Sequence, residues 1–227
     1  NGARFINASY TYWGSPSFSE RDAIIYAGTK GVLFTAAAGN YSNNNDITQF
    51  YPAGHALPNA ISVGASDFND SIASFSNFGA DSVHLFAPGV TIYSTIRSSL
   101  AGFGGIPGYG YLSGTSMASP YVTGSAALLA SYKPNLSHLE IRETLLSSTE
   151  QKTSFSNKSV TSGRLNLANA LIANIDSIAP FPPNRLSPFI VDNSNISINC
   201  VDNSTRETGF KLERKDGSAG VYSEIAA

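Results

Sequence analysis

A serine lies directly before an apolar segment with the pattern of a buried helix. Ser116 is the third residue of Gly-Thr-Ser-Met-Ala-Ser-Pro, and residues 121–132 beyond it are apolar nearly all round, which is typical of a buried helix. The free N–H groups and the positive dipole end at a helix N-terminus stabilise negative charge that develops there. This placement suggests a nucleophilic serine, and a helix-capping serine is the alternative that local sequence leaves open.

The elements that must position this serine alternate between strand and helix patterns. Residues 4–9 and 32–38 have strand patterns, and residues 19–30 form an amphipathic helix that ends at Gly31. Because a strand, a helix and a second buried strand build a parallel sheet, we predict an α/β fold with a mostly parallel sheet. Further strands are predicted at residues 60–65, 83–87 and 91–95, and further helices at 121–132, after the capping box Ser137-x-x-Glu140, and at 165–172.

Composition and charge exclude several classes of function. The chain has 227 residues, 42% of them apolar, and a formal net charge of −2, so it can form a core and has no basic field that attracts nucleic acid. The single cysteine, Cys200, excludes an intramolecular disulfide and argues against a structural zinc site. No apolar run approaches the ~20 residues of a membrane-spanning helix. Because the sequence begins with Asn-Gly, we expect it to be part of a longer chain.

The composition changes near Asn174. Four prolines fall within residues 180–188, as is typical of linkers between domains. Two alternating runs, residues 195–201 and 210–215, then predict antiparallel strands. The predicted parts are an α/β domain over residues 1–174, a proline-rich linker over 175–188 and a partial all-β sandwich over 189–227, since about 50 residues make half of such a domain.

Four segments of the chain resemble the subtilases, the subtilisin-like serine peptidases. GTSMASP at residues 114–120 is similar to their nucleophile signature, and AAAGN at residues 36–40 to the segment with the oxyanion asparagine. APG at residues 87–89 and GRLN at residues 163–166 are similar to two other family segments, and all four occur in the family's order. The resemblance runs from about Asn1 to Ile172. It implies a subtilisin-like three-layer fold that lacks its N-terminal part, and peptide-bond hydrolysis through an acyl-enzyme intermediate.

The resemblance also implies roles for individual residues. Ser116 is the implied nucleophile, and the side-chain amide of Asn40 joins the backbone N–H of Ser116 in stabilising the oxyanion. A turn-forming role is the alternative for Asn40, since Gly-Asn is common in turns. The residues implied to bind the substrate are Ser9, Tyr10, Thr11, Ala37, Ala38, Gly39 and Thr115.

Two residues depart from the family pattern where the P1 side chain, which precedes the scissile bond, is expected to bind. Thr11 replaces a glycine, and Phe50 stands where a small residue often forms the pocket wall. The family suggests a broad preference for medium-sized apolar P1 residues. Both departures weigh against a simple transfer of that preference.

The chain lacks the segments that would complete a catalytic triad. A peptidase of this type needs a histidine base and an aspartate that orients it, which the family presents in His-Gly-Thr and Asp-Thr/Ser-Gly segments; neither occurs here. His55, His84 and His138 have the contexts of surface or packing residues. We expect both groups to come from upstream sequence and this chain to be inactive by itself. The chemistry requires no cofactor; a structural Ca²⁺ would fit the family, although Asp67 is better explained as a turn cap.

Two other functions stay open. One is a catalytically inactive, subtilase-like module that binds peptides; the other is an extracellular adhesion or scaffold protein that acts through its C-terminal domain. Residues 202–214 and 222–225 resemble the first half of a fibronectin type III domain, with Cys200 at a core position. The intact serine and asparagine segments favour the peptidase. Its expected partners are protein or peptide substrates, without nucleic acid or membrane insertion, and family habit predicts secretion; the sequence gives no oligomeric state.

Overall fold

The computed structural model describes residues 2–97, 108–179, 183–191, 196–201, 207, 209–218 and 220–226. The elements of its first part are β1 (Phe5–Ala8), β2 (Tyr12–Trp13), α1 (Phe18–Thr29), β3 (Leu33–Ala37), β4 (Phe50–Tyr51), β5 (Ala60–Ser66), β6 (Leu85–Pro88), β7 (Ile92–Thr95), β8 (Tyr109–Leu112) and α2 (Thr115–Tyr132). They are followed by α3 (His138–Ser147), β9 (Glu150–Gln151), β10 (Gly163–Arg164), α4 (Leu167–Ile172), β11 (Asn184–Ile190), β12 (Ile196–Val201), β13 (Leu212–Arg214) and β14 (Ser223–Ala226).

Six strands form the central sheet, in the order β1-β3-β5-β6-β10-β9. Every neighbouring pair is parallel except β10 and β9, which are antiparallel. The mostly parallel sheet predicted from the sequence is therefore confirmed. All residues of β3 and β5 are buried, as expected for a parallel sheet with both faces covered.

The side chains of β3 alternate between two separate cores. Leu33 packs in a core with Val122 of α2 and Ile141 of α3, whereas Phe34 packs in a core with Ile24 of α1 and Leu57. Successive residues of a strand point to opposite faces of the sheet. The helices α2 and α3 thus cover one face and α1 the other, and the predicted three-layer α/β arrangement is confirmed.

The helix ends largely follow their sequence signals. The hydroxyl of Ser17 caps α1 by accepting from the N–H of Glu20, and both bonds of the predicted capping box at Ser137 are present in α3. The exception is α2, which begins at Thr115 instead of residue 121. As a result, Pro120 lies inside this helix.

A two-stranded hairpin precedes α2. Its strands β7 and β8 pair with each other outside the central sheet. The ring of Tyr93 lies 6.0 Å from that of Tyr109 and 4.7 Å from that of Tyr111. Because β8 ends two residues before Gly114, the hairpin lies beside the start of α2.

The C-terminal part consists of antiparallel pairs. Strand β11 pairs with β12, and β13 pairs with β14, so the predicted antiparallel strands are present. Strand β11 starts at Asn184, inside the segment predicted as a linker, of which residues 180–182 lie outside the described residues. Cys200 is exposed, and the expected core position is therefore wrong. No helix in the described part of the chain is long and apolar enough to cross a membrane.

Candidate active site

The site lies at the carboxyl ends of two neighbouring strands. Ser9 follows β1 and Asn40 lies just beyond β3, and these strands are parallel partners. Carboxyl ends of parallel strands share one edge of a sheet, where open α/β sheets place their ligand sites. The start of α2 reaches the same edge, because Thr115 bonds Asn40 and Ser116 bonds Ser9. The fold thus joins three segments that are distant in sequence.

Ser116 is the second residue of α2 and is partly exposed. Its backbone N–H has no acceptor within the helix, because the first N–H groups of a helix lack a carbonyl four residues earlier. The loop after β6 supports this turn, since the Gly89 carbonyl accepts from the N–H of Gly114 at 2.8 Å. A Cβ atom at Gly89 would lie only 2.8 Å from the carbonyl oxygen of Gly114. This close backbone approach therefore requires glycine.

Asn40 is oriented by the residue that precedes Ser116. Its Oδ1 accepts from the N–H and from the hydroxyl of Thr115, each at 2.9 Å. Its Nδ2 lies beside Gly114, 3.3 Å from the position that a Cβ atom would have on that glycine. This amide nitrogen has no hydrogen-bond acceptor among the described residues. The Asn40 amide and the Ser116 N–H are thus two free donors at this turn, as oxyanion stabilisation requires.

Thr115 holds Asn40 and does not face the solvent. Its side chain is fully buried, and its hydroxyl both donates to Asn40 and accepts from the N–H of Gly39 at 3.2 Å. Its side chain therefore cannot contact a substrate directly, and the predicted substrate binding by Thr115 could come only from its backbone. Sequence reasoning missed this role because the motif does not show what the threonine contacts.

A buried asparagine shapes the turn between β3 and Asn40. Gly39 has φ +115°, and a Cβ atom there would overlap the side chain of Asn77. The Oδ1 of Asn77 accepts from the N–H of Tyr41 at 2.8 Å, and its Nδ2 donates to the Ala38 carbonyl at 3.0 Å. Glycine is needed at residue 39 for its positive φ and for this contact. No sequence motif had singled out Asn77.

The predicted substrate-binding residues differ in exposure. Ser9 and Tyr10 are exposed and Thr11 is partly buried, with no hydrogen-bond partner for its buried hydroxyl. The side chains of Ala37 and Ala38 are fully buried. These alanines can therefore contribute only backbone to substrate binding, whereas Ser9 and Tyr10 are exposed.

A glutamate of α1 binds the segment that follows β1. The carboxylate of Glu20 accepts from the hydroxyls of Tyr10 at 2.8 Å and Tyr12 at 2.7 Å, and lies 3.0 Å from Nε2 of His55. Burial alone would raise the pKa of Glu20, but these three hydrogen bonds lower it. Burial and the bond to Glu20 raise the pKa of Tyr10 to about 12. Sequence reasoning missed this cluster, because its members come from three separate segments.

Among the described residues, none of the three histidines hydrogen-bonds to Ser116. His55 binds Glu20, and the buried His84 has its ring nitrogens 2.9 Å from the backbone N of Ser62 and 2.9 Å from Arg142. His138 is the first residue of α3, where burial lowers its pKa. The hydroxyl of Ser116 instead donates to the carbonyl oxygen of Ser9 at 2.9 Å.

A cavity of about 330 Å³ opens beside Ser116. One wall is formed by β7, including Ile92 and Tyr93, and the other by Met117 and Tyr121 of α2. Ser116 itself lines the cavity. Ser116 therefore faces open space on this side.

Asp67 acts as a turn cap. Its Oδ1 accepts from the N–H groups of Asn69 at 2.9 Å and Ser71 at 2.8 Å. This confirms the turn-capping interpretation. Among the described residues, no group of three or more histidine, cysteine, aspartate or glutamate side chains could hold a metal ion.

Comparison with known proteins identifies the family of this site. A sequence model described as the subtilase family, Peptidase S8, matches residues 1–169. The chain belongs to the subtilase family. This match includes the segments of both Asn40 and Ser116, and it ends before β11.

Individual relatives of this subtilase chain include bacterial and protozoan enzymes. It is 45% identical over 150 residues to a thermophilic serine proteinase of Bacillus sp. (strain AK1), covering 66% of this chain and 33% of the relative. It is 42% identical over 150 residues to subtilisin DY of Bacillus licheniformis, covering 65% and 50%. It is 43% identical over 138 residues to subtilisin-like protease 2 of Plasmodium falciparum, covering 58% and 9%.

A solved protease structure from Pseudoalteromonas arctica PAMC 21717 shares the fold. The TM-score is 0.64 with 29% sequence identity, over 75% of this chain and 51% of that chain. The subtilase chain thus spans about half, or less, of the length of these relatives.

Proposed function

We propose that this chain is the C-terminal portion of a subtilase catalytic domain and works as part of a serine endopeptidase. Ser116 attacks the peptide carbonyl, and the Asn40 amide and the Ser116 N–H bind the oxyanion of the tetrahedral intermediate. The observation that carries the proposal is the orientation of Asn40. Two bonds from Thr115 engage its Oδ1 and leave Nδ2 as a free donor beside the nucleophile turn.

The histidine base and its aspartate come from sequence upstream of residue 1. A base must come within hydrogen-bond reach of the Ser116 hydroxyl, and the cavity between β7 and α2 leaves space at that hydroxyl. In the complete enzyme the base replaces the Ser9 carbonyl as the partner of the Ser116 hydroxyl. The chain without these upstream groups has no general base and is inactive.

The substrates are proteins or peptides that bind in extended form between the backbones of residues 9–11 and 37–39. Backbone hydrogen bonds to such segments bind an extended peptide with little dependence on its sequence. We extend this proposal in two ways. The bacterial subtilisin relatives support secretion and a structural Ca²⁺. The antiparallel strand pairs β11–β12 and β13–β14 support a fibronectin type III-like C-terminal domain.

Labelling with a fluorophosphonate tests the proposal. The parent chain, which carries the upstream sequence, should be labelled and should hydrolyse a protein substrate such as casein. Ser116→Ala should abolish both activities, and Ser113→Ala, a neighbouring serine in the same turn, serves as the control for folding. An unlabelled parent chain would favour an inactive peptide-binding module, and labelling that persists in Ser116→Ala would mean a different nucleophile.

A further inference from the structure

The side-chain amide of Asn7, in β1, bonds to two neighbouring elements. Its Oδ1 accepts from two hydroxyls of α2, those of Ser119 at 2.7 Å and Thr123 at 3.2 Å. The same oxygen accepts from the hydroxyl of Thr35 in β3 at 3.4 Å. Ser119 and Thr35 are buried. The amide oxygen therefore anchors the edge strand β1 to the nucleophile helix and to the next strand of the sheet.

The amide nitrogen of Asn7 begins a chain of hydrogen bonds that ends at Ser116. Nδ2 donates to the hydroxyl of Ser9 at 2.8 Å, and this hydroxyl donates to the carbonyl oxygen of Ser116 at 2.8 Å. An amide nitrogen only donates and a carbonyl oxygen only accepts. The single proton of the Ser9 hydroxyl is therefore directed away from Asn7 and toward Ser116.

The direction of this chain requires an amide at residue 7. An aspartate would have two acceptor oxygens and no donor. One oxygen could still accept from the hydroxyls of α2, but the other would accept the proton of the Ser9 hydroxyl, since bonds to a charged acceptor are the stronger ones. The Ser116 carbonyl would then lose its donor.

The bond from Ser9 acts on the residue that carries the reactive hydroxyl. Ser116 is the second residue of α2, and its backbone N–H is one of the two free donors of the site. Holding its carbonyl against the end of β1 restricts the whole residue, including that N–H and the side chain. Misplacement by about 1 Å, even through a change far from the chemistry, can cost about 10²-fold in rate.

We propose that Asn7 is a positioning residue of the peptidase, which directs the Ser9 hydroxyl to the Ser116 carbonyl and so holds the nucleophile in place. This inference rests on the proposed function. Asn7 acts through Ser9 and does not touch the reacting atoms. The positioning role belongs to Nδ2 and is distinct from the anchoring of β1 by Oδ1.

Asn7→Asp in the parent chain separates the two roles, because it keeps the anchoring oxygen and removes the donor. We expect kcat on a peptide p-nitroanilide to fall about tenfold, the equivalent of one hydrogen bond, with KM little changed. Asn7→Ala leaves the Ser9 proton free to bond Ser116 and should lower kcat less. Asn135→Asp, at an exposed asparagine before α3, introduces the same charge elsewhere and should leave kcat unchanged.

The same substitution in a Ser9→Ala background tests whether Asn7 acts through Ser9. Alanine has no hydroxyl for residue 7 to orient, so Asn7→Asp should lower kcat there by no more than about twofold, which makes the two changes strongly non-additive. A direct effect of the new charge on the active site would lower kcat by the same factor in both backgrounds.

Two results would overturn the inference. One is an Asn7→Asp enzyme as fast as the unmodified parent, which would make Asn7 an anchor of β1 only. The other is an equal loss of kcat with and without the Ser9 hydroxyl. Fluorophosphonate labelling counts the folded active sites, and Asn7→Ala takes the place of Asn7→Asp in the cycle if the aspartate variant is not labelled. A parent chain that is neither labelled nor active on any peptide removes the proposed function itself, and this inference with it.

Discussion

Ser9 and Ser116 exchange two hydrogen bonds across the candidate active site. The Ser116 hydroxyl donates to the Ser9 carbonyl oxygen at 2.9 Å, and the Ser9 hydroxyl donates to the Ser116 carbonyl oxygen at 2.8 Å. The second bond depends on Pro120. In a regular helix the N–H of residue 120 would donate to the carbonyl of residue 116, but proline has no N–H. The proline thus frees a helix carbonyl that can bind the end of β1.

A double-mutant cycle tests this dependence on Pro120. Ser9→Ala leaves the Ser116 carbonyl without its donor and should lower the free energy of unfolding by about 1 kcal/mol. In a Pro120→Ala background the new N–H can bond the same carbonyl, so the cost of Ser9→Ala should become smaller. Urea unfolding of the four proteins measures the coupling. If Ser9→Ala lowered the free energy of unfolding equally in both backgrounds, Pro120 would play no part in this bond.

Asn40→Ala should lower kcat of the parent enzyme by about 10²–10³ with little change in KM, the magnitude known for the oxyanion-hole asparagine of a subtilisin. The reason is that the free Nδ2 is the donor that the oxyanion needs and the ground-state substrate does not. Steady-state kinetics on one peptide substrate measures both constants. An unchanged kcat would remove Asn40 from the oxyanion hole.

Thr115→Val should also lower kcat, by less than Asn40→Ala, although its side chain cannot reach a substrate. The hydroxyl that it removes donates to Asn40 and accepts from Gly39, so the amide of Asn40 loses part of its fixed orientation. Thr115→Ser keeps the hydroxyl and should restore most of the rate. The role assigned to Thr115 requires this rescue, and a serine variant as slow as the valine variant would contradict it.

Glu20 and its partners Tyr10, Tyr12 and His55 form the Glu20 cluster. This cluster should make the free energy of unfolding fall at both low and high pH. The lowered pKa of Glu20 means that its ionised form is favoured in the folded state, so its contribution is present above the usual carboxyl range and is lost as the pH falls through the lowered pKa. The pKa of Tyr10 is raised to about 12. The contribution of its neutral hydroxyl is therefore complete below pH about 10 and is lost as the pH rises toward 12.

Glu20→Gln should reduce the loss of stability at low pH and at high pH, because it removes the carboxylate charge and weakens the hydrogen-bond acceptor for Tyr10. Free energies of unfolding in urea, measured from pH 2 to pH 12, provide the comparison. Asp22→Asn, an exposed residue of the same helix, is the matched control and should follow the unmodified chain. Parallel pH profiles for Glu20→Gln and the unmodified chain would show that the cluster does not carry these contributions.

Local sequence patterns predict much of the architecture. The segment at residues 32–38 is apolar except for Thr35, as suits a strand buried on both faces, and its pattern predicted the buried strand β3 correctly. The capping box at Ser137 predicted the start of α3 to the residue. The start of α2 was less predictable, since its first residues are small and polar, and Pro120 obscured the helical pattern.

The contacts within the site could not be deduced in the same way. The family resemblance implied that Thr115 binds the substrate, and the fold buries its side chain against Asn40 and Gly39. Glu20 and Tyr10 lie ten positions apart in the chain, and no sequence pattern at either residue predicts the hydrogen bond between them. Such pairings depend on how β1, α1 and the start of α2 pack together.

By itself the sequence determined the family and the mostly parallel α/β fold, and it singled out Ser116 and Asn40 as candidate site residues. Those properties follow from short motifs and local periodicity, which each segment carries independently. Only the tertiary structure decided that Thr115 orients Asn40, that Ser9 binds the helix carbonyl freed by Pro120, and that Phe50 lies against Gly39. The physical reason is that hydrogen bonds and packing act over a few ångströms in space, and only the packing of β1, β3, β4 and α2 brings these residues within that distance.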